Sequence, residues 1–171
     1  LAKREDLVGE LNKGWTVGKR LLQFERSGIG GLSGGAKKRK PGEIKRNEYV
    51  EIATKYIGKA DGKVADEGVR TEILNHSMLE RAFQLTAQRV GQEMQNSKTP
   101  GAATSIFKLV GSNLARNGSE LKAKLMGTQG IGWQGEGFDD NELETTKNWL
   151  SGRAVTIYGG TNEVQMNIIS K

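Results

Sequence analysis

The chain has 171 residues, and its 26 Lys and Arg outnumber its 20 Asp and Glu, giving a net charge of +6. That length suits one domain with a real hydrophobic core. With no cysteine and one histidine, His76, the composition excludes a disulfide framework, a thiolate metal site, a cysteine nucleophile and a multi-histidine metal centre, and it argues against a Ser-His-Asp triad.

In chain order, residues 1–9 read as an extended lead-in. A helix is expected over 13–26, with Asn12 as its N-cap and Ser27-Gly28 as its stop. Residues 27–43 are rich in Gly, Ser and Lys and hold Pro41-Gly42, which predicts a mobile loop. A shorter helix follows over 44–57, with Tyr49, Ile52, Ala53 and Tyr56 in steps of three and four. Gly58 to Gly62 breaks it. A long helix is expected over 64–96, burying Val69, Ile73, Leu74, Met78, Ala82, Leu85 and Val90. Lys98 to Gly101 is a turn. The next helix, 102–126, is expected to bury Ile106, Leu109, Val110, Leu114 and Leu121. Gly127 to Gly137 is a glycine-rich connection. A helix over 141–158 comes next, with Trp149 and Leu150 inside, and Gly159-Gly160 stops it. A last short helix starts near Thr161. No convincing strand alternation occurs, and two prolines in the whole chain favour long helices. The fold class expected is all-α, an antiparallel bundle of about four main helices.

The basic excess sits largely in Lys37, Lys38, Arg39, Lys40, Lys45 and Arg46. No aromatic residue interleaves with this run, so base stacking has no support, and a solvated basic loop is preferred over a nucleic-acid patch. No apolar run reaches the roughly 18 residues of a membrane span. No signal peptide is visible, and the opening Leu1 suggests a fragment of a longer protein. The expected location is the cytoplasm or another reducing compartment, the mitochondrion in a eukaryote.

Two places break the pattern. At about 100° per residue, Glu25 lies about 20° from Gly18, about 40° from Leu21 and about 60° from Leu22 on the other side, so it shares a face with Gly14, Gly18, Leu21 and Leu22. A carboxylate beside a groove left by glycines has a raised pKa and suits a general base. The same spacing also fits a helix-end Glu that pairs with a neighbouring base or is solvated. The second place is Tyr158-Gly159-Gly160-Thr161-Asn162-Glu163, where glycines precede a helix start. Such a corner can bind an anion or a phosphate-bearing cofactor. It can equally be an ordinary glycine-capped corner with Thr161 or Asn162 as the next N-cap.

These segments resemble the C-terminal helical domain of acyl-CoA dehydrogenases. The resemblance is carried by Val8-Gly9-Glu10-Leu11-Asn12-Lys13-Gly14-Trp15 and the helix ending Phe24-Glu25-Arg26. It continues through Leu125-Met126-Gly127-Thr128-Gln129-Gly130 and closes on Arg153 through Gln165, which reads RAVTIYGGTNEVQ. The resemblance implies that residues 1–9 end a preceding β domain and that 10–171 form the helical bundle, with an N-terminal helical domain and the rest of the β domain absent. It implies α,β-dehydrogenation of an acyl-CoA thioester, in which a carboxylate takes the α-proton and hydride passes to the N5 of FAD. It further implies a homo-oligomer, dimer or tetramer, built on these bundles. An electron-transferring flavoprotein would be the acceptor.

Many relatives place the base directly after the Tyr of the last motif, where this chain has Gly159. Glu25-Arg26 matches a minority arrangement, similar to isovaleryl-CoA dehydrogenase, with the base on the first helix of the domain. By this resemblance Glu25 is the catalytic base, and Arg26 and Tyr158 lie at the acyl-CoA. Gly127, Thr128, Gly159, Gly160, Thr161 and Glu163 contact FAD, and no metal is involved. The family's Arg-x-x-Phe-Gly segment has no counterpart, Lys124 stands where Gln is usual, and Met166 replaces a common Arg. A non-catalytic assembly subunit and a basic nucleic-acid binder are the competing expectations.

Overall fold

The computed structural model describes residues 3–21, 47–96 and 103–170. The expected loop 27–43, the basic run, the turn 98–101, Glu25 and Arg26 lie outside them. Among the described residues the helices are α1 (residues 14–21), α2 (Glu48–Tyr56), α3 (Glu67–Asn96), α4 (Ala103–Met126), α5 (Asp140–Ser151) and α6 (Asn162–Ile169). Three 3-10 turns, Arg4–Asp6, Gly127–Ile131 and Gly152–Thr156, join or precede them. The all-α class is therefore correct. α4 is the central element: α2, α3, α5, α6 and the last two 3-10 turns all pack on it.

Local chemistry moves several boundaries. Residues 4–6 form a 3-10 turn, where an extended lead-in was expected. Asn12 has φ +67, in the left-handed region, whereas an N-cap residue is extended, so it does not cap α1. α2 starts at Glu48, capped by Asn47, whose side-chain oxygen accepts from the Tyr49 N–H at 3.0 Å. α3 starts at Glu67, because the Asp66 carboxylate accepts from the Val69 N–H at 2.8 Å and caps the helix there. The residues before it form a small antiparallel hairpin, β1 (Lys59–Ala60) with β2 (Lys63–Val64), pairing Lys59 with Val64 and Ala60 with Lys63. Its turn is Asp61-Gly62, with φ of +51 and +74, the two-residue geometry that suits a tight hairpin. α5 ends at Ser151 and gives way to a 3-10 turn, so the helix expected to reach Tyr158 is shorter.

The core joins Tyr49 and Ala53 of α2, Val64, Ile73 of α3, and Leu121 and Leu125 of α4. Where the helix stripes were expected, the burial is rotated. On α3 the buried residues are Ile73 and His76, while Leu74, Met78 and Leu85 are exposed. The reason is His76: its Nε2 lies 3.0 Å from the Tyr49 hydroxyl, and the two rings meet edge to face. Glu80 Oε1 is 3.4 Å from the same hydroxyl. Burial first, then Glu80, push the Tyr49 phenol above its ordinary range. On α4 the buried face is Ser105, Lys108, Ser112, Leu121, Ala123, Leu125 and Met126, while Ile106 and Val110 are exposed. Polar and small residues occupy much of that face, so hydrophobic periodicity could not locate it. Leu150 is also exposed, although it was expected inside.

A polar latch ties α2 to the start of α5. Asp139 Oδ1 accepts from the Glu142 N–H and Glu142 Oε2 accepts from the Asp139 N–H, both at 2.9 Å, a reciprocal capping box. The buried Glu142 also accepts from the Tyr56 hydroxyl at 2.6 Å and from Gln129 Nε2 at 3.2 Å. The Tyr56 hydrogen bond, then the Asp139 N–H, holds the Glu142 carboxyl below its ordinary value of 4.5. The Lys55 ammonium, then the Glu142 N–H, does the same for Asp139. A depressed carboxylate stabilises the fold fully above its unfolded value, and that stability is lost as pH falls through the folded value. The melting temperature is therefore expected to drop as pH falls below about 4.5. Glu142→Gln should melt lower at neutral pH and show a shallower acid dependence. Parallel curves for the two proteins in thermal melts between neutral and acid pH would contradict this role.

Candidate functional site

The segment Tyr158 to Glu163 forms a corner between the 3-10 turn Gly152–Thr156 and α6. Gly159 and Gly160 have φ of +67 and +96, which L side chains rarely adopt. Thr161 is the N-cap of α6, its hydroxyl accepting from the Val164 N–H at 3.4 Å. One alternative left open by the sequence is thus decided in detail: Thr161 caps, and Asn162 is the first helical residue, its Nδ2 donating to Asn113 Oδ1 of α4 at 3.1 Å. Ile157 and Tyr158 point out of the bundle, 62% and 60% exposed. Glu163 is exposed at the first turn of α6. Its own backbone N–H, then the Thr161 hydroxyl, holds its carboxyl below the ordinary range. It is therefore an acceptor at neutral pH.

Gly127 and Thr128 lie elsewhere. Gly127 has φ +59 and opens the 3-10 turn that follows α4, and both residues are exposed. The Asn162 corner meets α4 at Asn113, fourteen residues before Gly127, which is about 20 Å at 1.5 Å per residue. The two glycine motifs are therefore not brought together within one chain. They also differ in openness: a Cβ at Gly127 would meet nothing within 4 Å, whereas one at Gly160 would lie 2.6 Å from the Gln165 amide nitrogen.

α1 gives no closed groove. A Cβ at Gly14 would meet nothing within 4 Å, and one at Gly18 would meet only the Trp15 ring, at 3.9 Å. Trp15 and Leu21 are exposed, 72% and 67%. The described residues leave that face uncovered, and Glu25 and Arg26 lie beyond them.

Sequence reasoning missed Lys108 and Gln165. Both are buried and polar, and both touch the backbone that leads into the corner. Their signal was positional. Lys108 shares an i, i+3, i+4 face with Ser105 and Ser112, and Gln165 falls four residues after the capping Thr161.

The chain matches the family described as acyl-CoA dehydrogenase, C-terminal domain, over residues 12–171, and it belongs to that family. Among curated relatives, acyl-CoA dehydrogenase IpdE1 of Mycolicibacterium smegmatis is 31% identical over 165 residues, spanning 96% of this chain and 37% of the relative. IpdE1 of Mycobacterium tuberculosis is 30% identical over 165 residues, spanning 96% and 39%. The chain thus spans less than two fifths of the length of these relatives. A crystal structure of the ChsE4-ChsE5 complex from Mycobacterium tuberculosis shares the fold, with a TM-score of 0.63 at 21% identity over 95% of this chain and 40% of that one. Among the described residues no helix is long and apolar enough to cross a membrane.

Proposed function

We propose that this chain is the C-terminal domain of an FAD-dependent acyl-CoA dehydrogenase, supplying the base, part of the FAD and acyl-CoA site, and the oligomer core. The observation that carries the reading is the Gly159-Gly160 corner: two left-handed glycines leading into a Thr161-capped helix, in a chain of this family. The corner fits a phosphate-bearing cofactor, because glycine backbone admits close approach and a helix start favours negative charge. The ionised Glu163 carboxylate suits a hydroxyl or amino donor of a nucleoside, and Thr128 offers a hydroxyl beside the open Gly127 turn. Separation of the two motifs along α4 suits an elongated cofactor, or two copies that each complete the other's site.

FAD, when bound, supplies the hydride acceptor. The work of this chain is to hold the thioester, exclude water and take the α-proton, the last being the role of Glu25. Tyr158 and Arg26 line the acyl-CoA side. An electron-transferring flavoprotein reoxidises the cofactor. The direct test joins the chain to the N-terminal and β domains, loads it with FAD, and follows turnover of acyl-CoA thioesters of graded length and branching with a dye acceptor. Saturable turnover supports the reading. FAD and acyl-CoA binding without turnover would instead favour a non-catalytic assembly subunit.

The oligomer core rests on α3. This helix is about 45 Å long at 1.5 Å per residue, and its Leu74, Met78, Leu79 and Leu85 are 48–61% exposed. Leu74, Met78 and Leu85 fall within about 40° of one another around the helix, and exposed apolar side chains so grouped are normally covered by another protein surface. The 171-residue chain alone is therefore expected to be helical and self-associated but catalytically silent. Multi-angle light scattering that gives a strict monomer, or turnover by the isolated chain, would contradict this.

A further inference from the structure

Two buried polar side chains grip the backbone on either side of Tyr158. Lys108 of α4 is 4% exposed, and its Nζ donates to the Val155 carbonyl at 3.1 Å. No carboxylate among the described residues forms an ion pair with it. Gln165 of α6 is fully buried, and its Nε2 donates to the Gly159 carbonyl at 3.2 Å. Its Oε1 has no hydrogen-bond partner among the described residues. The Gln165 amide also sits against the corner: a Cβ at Gly160 would lie 2.6 Å from Nε2.

Both arrangements are costly to the fold. An ammonium has three donors, and among the described residues the buried Lys108 finds one acceptor for them. Desolvation pushes the Lys108 amine below its ordinary range. A methionine of similar length would fill the same space without that cost. Groups that cost stability and recur around one short stretch point to what the stretch does. Between them lie the exposed Ile157 and Tyr158 and the two left-handed glycines.

We propose that Lys108 and Gln165 are positioning residues that hold the Val155 and Gly159 carbonyls from the buried side, so that Tyr158 and the Gly159-Gly160 backbone present a fixed edge to FAD and acyl-CoA. The inference rests on the reading of that corner given above. Neither residue touches ligand; each acts through the main chain.

The test uses the 171-residue chain without cofactor first, then the FAD-loaded longer protein. Lys108→Met should melt at or above the parent temperature. Its amide exchange over 155–162 should nevertheless rise on the order of tenfold, with Leu121–Met126 unchanged. Lys108→Arg, which keeps a donor, should restore most of the protection. Gln165→Met reads the second grip independently and should loosen the same peptide. In the loaded protein both Met variants should reduce flavin roughly tenfold more slowly at saturating acyl-CoA, with little change in acyl-CoA affinity. Parental exchange over 155–162 in both Met variants would overturn the proposal. So would a fall in melting temperature with exchange rising alike across α4 and α5, the mark of ordinary packing. A parent that never reduces FAD, yet shows the expected exchange pattern, fails the dehydrogenase reading while the grip on the corner stands.

Discussion

Glu25→Gln, in the FAD-loaded protein with its preceding domains, is expected to bind FAD and acyl-CoA as the parent does and to lose on the order of 10²–10⁴ in turnover. Glutamine is nearly isosteric, so packing survives while the proton acceptor is gone. Position 159 is glycine, so the carboxylate the corner itself offers is Glu163, which the reading above gives to the nucleoside. Gly159→Glu tests the same logic from the other side. On the parent background it should hinder, for two reasons. The residue sits at φ +67, where an L side chain is strained by roughly 1–2 kcal/mol. On the proposed reading both carboxylates would face one substrate, which raises the cost of ionising either. On the Glu25→Gln background it should return part of the activity. Steady-state rates with saturating acyl-CoA check all four proteins, and a Glu25→Gln rate within twofold of the parent would remove Glu25 from the mechanism.

The largest effect on stability is expected at Gly130. A Cβ there would run into the Ala123 backbone, within 2.9 Å of its Cα and closer still to its carbonyl oxygen. Backbone of a central helix cannot step aside as a flexible side chain can. Gly130 is also an anchor: its carbonyl accepts from the buried Thr146 hydroxyl of α5 at 3.0 Å. Gly130→Ala should therefore cost about 3 kcal/mol, the upper end for overpacking, which for a chain of this size is a fall of roughly 10 °C in melting temperature. Gly135→Ala is the matched control, because a Cβ there would meet nothing within 4 Å. It stays strained by its φ of +116, so a smaller loss is expected. Equal melting temperatures for the two variants would refute the steric argument.

What was legible in the sequence is what depends on near neighbours. The ends of α2, α3 and α4 and the glycine corner follow from local backbone chemistry and stand where the sequence put them, whereas α5 stops at Ser151, short of the expected Tyr158, and Thr161 is one of the two caps the sequence left open. The all-α class follows from the long periodic segments. Burial was less legible, because it depends on which neighbour each face meets. His76 is buried against Tyr49 and turns α3 away from the Leu74 and Met78 stripe. Lys108 and Gln165 were invisible to any rule that places polar residues outside. Glu142 stands in the first turn of α5, and its burial rests on contacts with Tyr56 and Gln129 that are distant in sequence or set by the fold. The distance along α4 between the two glycine motifs also could not be read from either motif alone.

The most direct measurement is anaerobic single-turnover reduction of the bound flavin. The FAD-loaded longer protein is mixed with saturating straight-chain and branched acyl-CoA thioesters, and the oxidised-flavin absorbance is followed in time. The account predicts rapid bleaching by at least one thioester, with Glu25→Gln on the order of 10²–10⁴ slower under the same conditions. A fully loaded protein that binds every thioester offered and keeps its oxidised spectrum would contradict it.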